Sequence, residues 1–262
     1  IGFDQLPDGR IIQTTRDGRV RLHDEETGRS TVILDLRANT YTHSEDGMYG
    51  PAVDKEFATN KWVYLYYSPL TMEPPYPATT PTTNAPNTGA DPSVWDPWKG
   101  YFQLSRFKFV DATEAQPAHL DLASEQKVMK VEVNRGACCH VAGDVAFDSQ
   151  NNLWMVTGDD TPAGGGNSGG FGPFNDMITT TGLFNAPHVD ARRSAQNTND
   201  LRGKILRIDV QDDGTYTIPS GNLFDESVDV NGKTRPEIYA MGFRNPFRIS
   251  LDENDVAYIT DY

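Results

Sequence analysis

His140 and Asp159 are the pair in this chain whose types and spacing could do acid–base chemistry. They lie near the two ends of the stretch Cys138–Asp160, CCHVAGDVAFDSQNNLWMVTGDD. A carboxylate beside an imidazole fixes its tautomer and raises its basicity, which is how a general base is made. The two can meet only if the chain between them turns back. Asp144–Asp148 reads as a short strand with Val145 and Phe147 on one face. Ser149–Asn152 is a polar turn whose side chains bond their own backbone. Leu153–Thr157 reads as a second strand, ended by Gly158. In such a hairpin the segments before the first strand and after the second lie at one end, so His140 and Asp159 should approach. Taken alone, a surface histidine near a turn aspartate would give the same pattern.

The elements around this hairpin repeat. Ile1–Asp24 holds a short apolar segment, a Pro-Asp-Gly turn, Ile11–Thr14, an Asp-Gly turn and Val20–His23, with Ser30–Leu36 as a further strand. The order returns as Gly50–Phe57, Trp62–Tyr67, Tyr101–Val110 and Gln126–Val133. It returns again as the His140 hairpin, Gly203–Val210 and Thr215–Ile218, and Phe247–Tyr262 opens a fourth copy. Aligned on Asp54, Asp148 and Asp252, the copies place apolar Val53, Phe147 and Leu251 just before each aspartate. Recurring four-stranded units predict an all-β fold, a β-propeller, rather than a sandwich of unrelated strands. The chain holds about three and a half such blades, so an incomplete ring is expected, a fragment with exposed strand edges.

The same alignment groups further candidates. Glu45, His140, Arg244 and Asn245 occupy equivalent positions shortly before the three aligned aspartates. That places a carboxylate, an imidazole, a guanidinium and an amide at one mouth of a central channel, the usual place for a site. The Arg fork suits an anionic or carbonyl partner. A structural ion pair, or a turn shaped by Arg244-Asn245-Pro246, is the plainer reading.

Two long insertions, Pro69–Gly100 and Thr161–Asn199, fall between second and third strands and should open on the His140 face as pocket walls. The first carries Trp95 and Trp98; the second begins with the Gly-rich run GGGNSGGFG, read as a flexible loop and not as a dinucleotide motif.

Composition narrows the classes. The 262 residues carry a formal net charge of −14 and are 37% hydrophobic. That suffices for a core and argues against nucleic acid as a partner. No run of 18 apolar residues predicts a membrane span. The two cysteines, Cys138 and Cys139, are adjacent. They cannot form a zinc quartet, so no metal ligand set is assigned within the chain. They are either two thiols or a vicinal disulfide, the latter expected only in an oxidising compartment.

The segments from His140 to Gly158-Asp159, from Asn199 through Asp200, Arg202, Gly203 and Lys204 to Arg207, and Gly242-Phe243-Arg244-Asn245-Pro246 resemble the soluble pyrroloquinoline quinone (PQQ)-dependent glucose/sorbosone dehydrogenases. Glu45–Gly50 through Trp62–Tyr67 resembles that family's second-blade motif. The Cys-Cys-His form is similar to a bacterial branch in which the domain sits in a longer secreted protein with carbohydrate-related modules. The resemblance implies a six-bladed propeller with PQQ over the channel mouth. It implies His140 as the base that takes the sugar's anomeric proton, Asp159 as its orienting carboxylate, and Arg244 and Asn245 as cofactor contacts. Glu45 stands where some members place a Gln near the substrate. The resemblance further implies calcium bound by a loop beyond residue 262, so this piece alone should be inactive. An external electron acceptor and a secreted or periplasmic location complete the expectation. A vicinal disulfide could then pack against the quinone plane. The alternatives are a propeller that binds glycan or protein without catalysis, with Trp95 and Trp98 stacking on sugar, and a metal-dependent lactonase.

Overall fold

Short alternating segments punctuated by Asp-Gly and Asx turns fold here as antiparallel strands. The computed structural model describes residues 2–85, 92–141, 143–162, 189–224 and 232–262. The Gly-rich run of the second insertion lies outside the described residues.

The first sheet is a four-stranded meander, β1 (Phe3–Gln5), β2 (Ile11–Thr14), β3 (Arg19–Asp24) and β4 (Arg29–Asp35), paired in chain order. The second repeats it with β5 (Met48–Val53), β6 (Trp62–Tyr67), β7 (Lys99–Val110) and β8 (His119–Asn134). Strand β5 stops at Val53, and Phe57 opens a one-turn helix, α1 (Phe57–Asn60), so the extended segment is shorter than the pattern suggested. The third sheet pairs β9 (Gly143–Phe147), β10 (Leu153–Thr157), β11 (Lys204–Val210) and the two-residue β12 (Tyr216–Thr217). A strand absent from the sequence reading, β13 (Ile238–Met241), pairs with the opposite end of β11, Lys204 facing Met241. The outer place in this sheet is thus shared by two short strands. The last sheet is the hairpin of β14 (Pro246–Leu251) and β15 (Ala257–Asp261).

The first strands of successive sheets pack side by side, β1 on β5, β5 on β9 and β9 on β14. This is a propeller arrangement with first strands innermost. A cleft of about 620 Å³ runs where they converge, lined by Asp4, Val53, Asp144, Phe147 and Ile249. Between the second and third sheets the core is aromatic: Tyr64 meets Phe147 edge-on at 5.1 Å, and Tyr66 stacks on Phe102 at 4.9 Å.

The repeated aspartates are turn formers. Asp148 Oδ1 accepts from the backbone N–H of Gln150 (3.0 Å) and Asn152 (2.8 Å). Asp252 Oδ1 accepts likewise from Asn254 (2.9 Å) and Val256 (3.0 Å). These turns also join neighbouring sheets. Asn151 Nδ2 donates to Asp54 Oδ1 at 3.1 Å, and Ser149 Oγ donates to Asp255 Oδ2 at 2.6 Å. This belt fixes the sheets at one end and leaves the other end for the long loops.

Candidate functional site

At that other end, the loops entering β5, β9 and β14 carry Glu45, His140 and Asn245, and the loop leaving β10 carries Asp159. His140 Nδ1 lies 3.0 Å from Asp159 Oδ1, with both side chains buried. The hairpin of β9 and β10, in register from Gly143–Thr157 to Phe147–Leu153, is what brings them together. A carboxylate cannot donate, so Nδ1 carries a proton, and in the neutral imidazole the lone pair is then on Nε2. Nε2 is buried and has no hydrogen-bond partner among the described residues.

Thr161, not among the residues that the sequence pattern singles out, completes this contact. Its hydroxyl donates to Asp159 Oδ1 at 2.7 Å, and its backbone N–H donates to the same oxygen at 2.9 Å. Its Oγ1 also lies 3.0 Å from His140 Nδ1. The Nδ1–H is therefore shared between a carboxylate and a hydroxyl that are themselves bonded. The local signal was a Thr two residues after Asp159, the spacing of an Asx turn.

Glu45 acts on the backbone. Its Oε2 accepts from the His140 N–H at 2.7 Å and faces Asn245 Nδ2 at 3.4 Å. Three sheets thus meet on one carboxylate. His140 has φ of 54°, in the left-handed region, and its carbonyl accepts from the Asp160 N–H at 2.9 Å. Its main chain is fixed on both sides. Gly158 is required by this crowding: a Cβ there would overlap the His140 carbonyl oxygen and stand 2.8 Å from Asn245 Oδ1.

Arg244 sits on the same rim but points elsewhere. Its carbonyl accepts from the Asp159 N–H at 2.8 Å, while its guanidinium donates to the Tyr262 carbonyl at 2.8 Å and lies over the Tyr262 ring. Asn245 is buried, and its Oδ1 has no partner among the described residues. Glu45, Asn245, Phe247, Thr260, Asp261 and Tyr262 line a pocket of about 520 Å³.

Buried ion pairs, missed in the sequence, support the rim. Arg202 bridges Asp160 (2.9 Å) and Asp200 (2.6 Å). Burial pushes the Asp160 carboxyl up to about 7, against the pull of Arg202 and of the Asn134 N–H. Arg135 lies 3.6 Å from Asp46 and donates to the carbonyls of Pro69 (3.0 Å) and Tyr101 (2.8 Å). Burial dominates this pair too, raising Asp46 to about 6 and lowering Arg135. Lys204 Nζ donates to the carbonyls of Ser194, Ala195 and Arg202, and Ser194 Oγ donates to the Asp159 carbonyl at 2.6 Å. The described part of the second insertion is thereby tied to the Asp159 loop.

The tryptophans of the first insertion do not face solvent. Trp95 and Trp98 are buried with Ala85, Ala137 and Val189, and Trp98 Nε1 donates to the Thr83 carbonyl at 2.6 Å. They cannot stack on a sugar; they brace the segment before Cys138. Cys138 and Cys139 are joined as a vicinal disulfide.

A profile of the glucose/sorbosone dehydrogenase family matches residues 1–260. The chain belongs to that family. Among curated proteins it is similar to the HIPL1 and HIPL2 proteins of Arabidopsis thaliana, 26% and 25% identical over 96% of this chain and 36% of each relative. Two solved structures share its fold. One is the soluble aldose sugar dehydrogenase of Escherichia coli in its apo form, with TM-score 0.63 and 19% identity, over 100% of this chain and 56% of that one. The other is the PQQ-bound aldose sugar dehydrogenase of Streptomyces coelicolor, with TM-score 0.55 and 21% identity, over 100% and 55%. The chain thus spans about a third of its curated relatives and just over half of these solved chains. No helix among the described residues is long and apolar enough to cross a membrane.

Proposed function

We propose that this chain carries the base-bearing face of a PQQ-dependent sugar dehydrogenase that oxidises an aldose or a related carbohydrate alcohol. One observation carries the reading: His140 is buried, its Nδ1 is held by Asp159 and Thr161, and its Nε2 is left without a partner. A buried polar atom in that state calls for a ligand. His140 Nε2 takes the proton of the anomeric hydroxyl, which makes loss of hydride from the same carbon easier. Asp159 stabilises the imidazolium that results, and Thr161, bonded to both groups, holds them together. When bound, PQQ supplies the hydride acceptor.

The residues fit such a group. Asn245 offers a buried Oδ1 without a partner among the described residues at the pocket wall, and Arg244 lies over Tyr262, which lines the same pocket. A cation near a quinone oxygen stabilises developing negative charge. Glu45 spends its described hydrogen bonds on His140 and Asn245, which supports a positioning role over direct sugar contact. Calcium is proposed as the accompanying ion. The cluster that the described residues offer a cation, Glu45 with Cys138 and Cys139, lacks the oxygen donors calcium needs, so its ligands would come from elsewhere. A lactonase would need several carboxylates and an Asn converging on a channel metal, where the channel mouth carries His140 and Arg244 instead. An external acceptor would take the electrons, and the disulfide fits a secreted or periplasmic protein.

The test is titration of the full-length protein with PQQ and calcium, followed by dye reduction over a panel of aldoses. Saturable, calcium-dependent reduction supports the reading and names the substrate class. Absence of both binding and turnover would favour a propeller that binds a glycan or protein without catalysis.

A further inference from the structure

The sulfurs of the vicinal disulfide have no part in the sugar chemistry, and they form a cluster with Glu45. One carboxylate oxygen of Glu45 and the two sulfurs lie within 4.8 Å of one another. The carboxylate comes from the loop before β5, and the sulfurs from the loop before β9. Cys139 is buried, with Ser44 Oγ 3.7 Å from its sulfur, whereas Cys138 and Glu45 are partly exposed. A small thiol can therefore reach the bond from the Cys138 side.

We propose that Cys138, Cys139 and Glu45 form a redox-gated site for a thiophilic divalent cation, closed while the disulfide is intact and opened by a dithiol. In the opening step a thiolate of the dithiol attacks one cysteine sulfur and the S–S bond breaks. The second thiol of the reductant then displaces the mixed disulfide. Two electrons and two protons pass to the cysteines, and the reductant leaves as a cyclic disulfide. Binding of the cation by two thiolates releases those two protons to solvent.

The donor set selects the ion. Two thiolates favour zinc or cadmium over magnesium and calcium. Zinc–sulfur bonds of about 2.3 Å set tetrahedral sulfurs roughly 3.8 Å apart, a separation that neighbouring cysteine side chains reach once the bond is cut. Glu45 supplies a third ligand from across the sheet boundary. That carboxylate already holds the His140 N–H, so a bound cation competes with the contact that fixes His140. The proposal stands on this cluster alone and does not depend on the sugar reading.

The experiment uses cadmium as the probe and the thiolate-to-cadmium absorption in the ultraviolet as the signal. The full-length protein is reduced with a phosphine, freed of reductant, and checked for two titratable thiols. One cadmium per chain is expected after reduction and none before it. Cys138→Ser and Cys139→Ser should each abolish the absorption. Glu45→Gln, with the fold checked by circular dichroism, should weaken binding at least about tenfold, the scale of even an outer-shell loss. A disulfide that resists reduction in the folded protein would overturn the proposal. So would two free thiols that bind no cadmium, or wild-type affinity in Glu45→Gln, which would remove the carboxylate from the site.

Discussion

The His140 backbone N–H and the Glu45 carboxylate meet at 2.7 Å across the boundary between two sheets. The residue whose ring faces Asp159 is therefore held at its main chain by a different blade. The geometry of His140 is a property of blade packing as much as of its own hairpin.

His140→Ala removes the buried imidazole that faces Asp159. Turnover of the full-length protein should fall by about a hundredfold or more, the usual worth of a general base. PQQ binding, followed by absorbance titration, should stay near wild type. Unchanged turnover would take His140 out of the mechanism.

Asp159→Asn and Thr161→Val attack the orientation of that ring. Asp159→Asn should lower kcat, because the ring loses the carboxylate that holds its Nδ1. Thr161→Val should lower kcat by about tenfold, the worth of one hydrogen bond to a charged group. Thr161→Ser should restore it, which a packing defect would not allow. KM should move little in either variant.

Gly158→Ala places a methyl on the His140 carbonyl oxygen and near Asn245 Oδ1. Overpacking of this kind costs about 1–3 kcal/mol. Thermal unfolding should show a lowered midpoint, and kcat should fall with it. A variant with wild-type stability and rate would show that the loop has room to shift.

Asp46→Asn tests the buried pair with Arg135. Burial raises the folded-state pKa of Asp46 from its ordinary 3.8 to about 6, so the folded protein holds this proton more tightly than the unfolded chain. The contribution is present in full below about pH 4 and is lost as pH rises to about 6, on the order of 3 kcal/mol at 1.36 kcal/mol per unit. Midpoints from denaturant melts at pH 4, 5, 6 and 7 should fall with pH in wild type. The slope should be shallower in Asp46→Asn. Parallel curves would assign the titration elsewhere.

The amino-acid sequence by itself determined most of the strands, β13 excepted, their grouping and the hairpin that carries His140. Alternation with a period of two, broken by Asp-Gly and Asx turns, is a local code, and Asp54, Asp148 and Asp252 read it out through bonds to backbone a few residues away. The meeting of His140 and Asp159 was legible for the same reason, since two registered strands leave their flanks at one end. So was the shared rim of Glu45, His140 and Asn245, which follows from repeat position. What the side chains do there was not legible. Glu45 holds a backbone, Arg244 turns toward Tyr262, and Trp95 is buried under a loop. The partnerships of Arg202 with Asp160 and of Arg135 with Asp46 were equally hidden. Each depends on how one blade rotates against the next. No periodicity encodes that angle; the packing of Tyr64 on Phe147, and of the other side chains between the sheets, decides it.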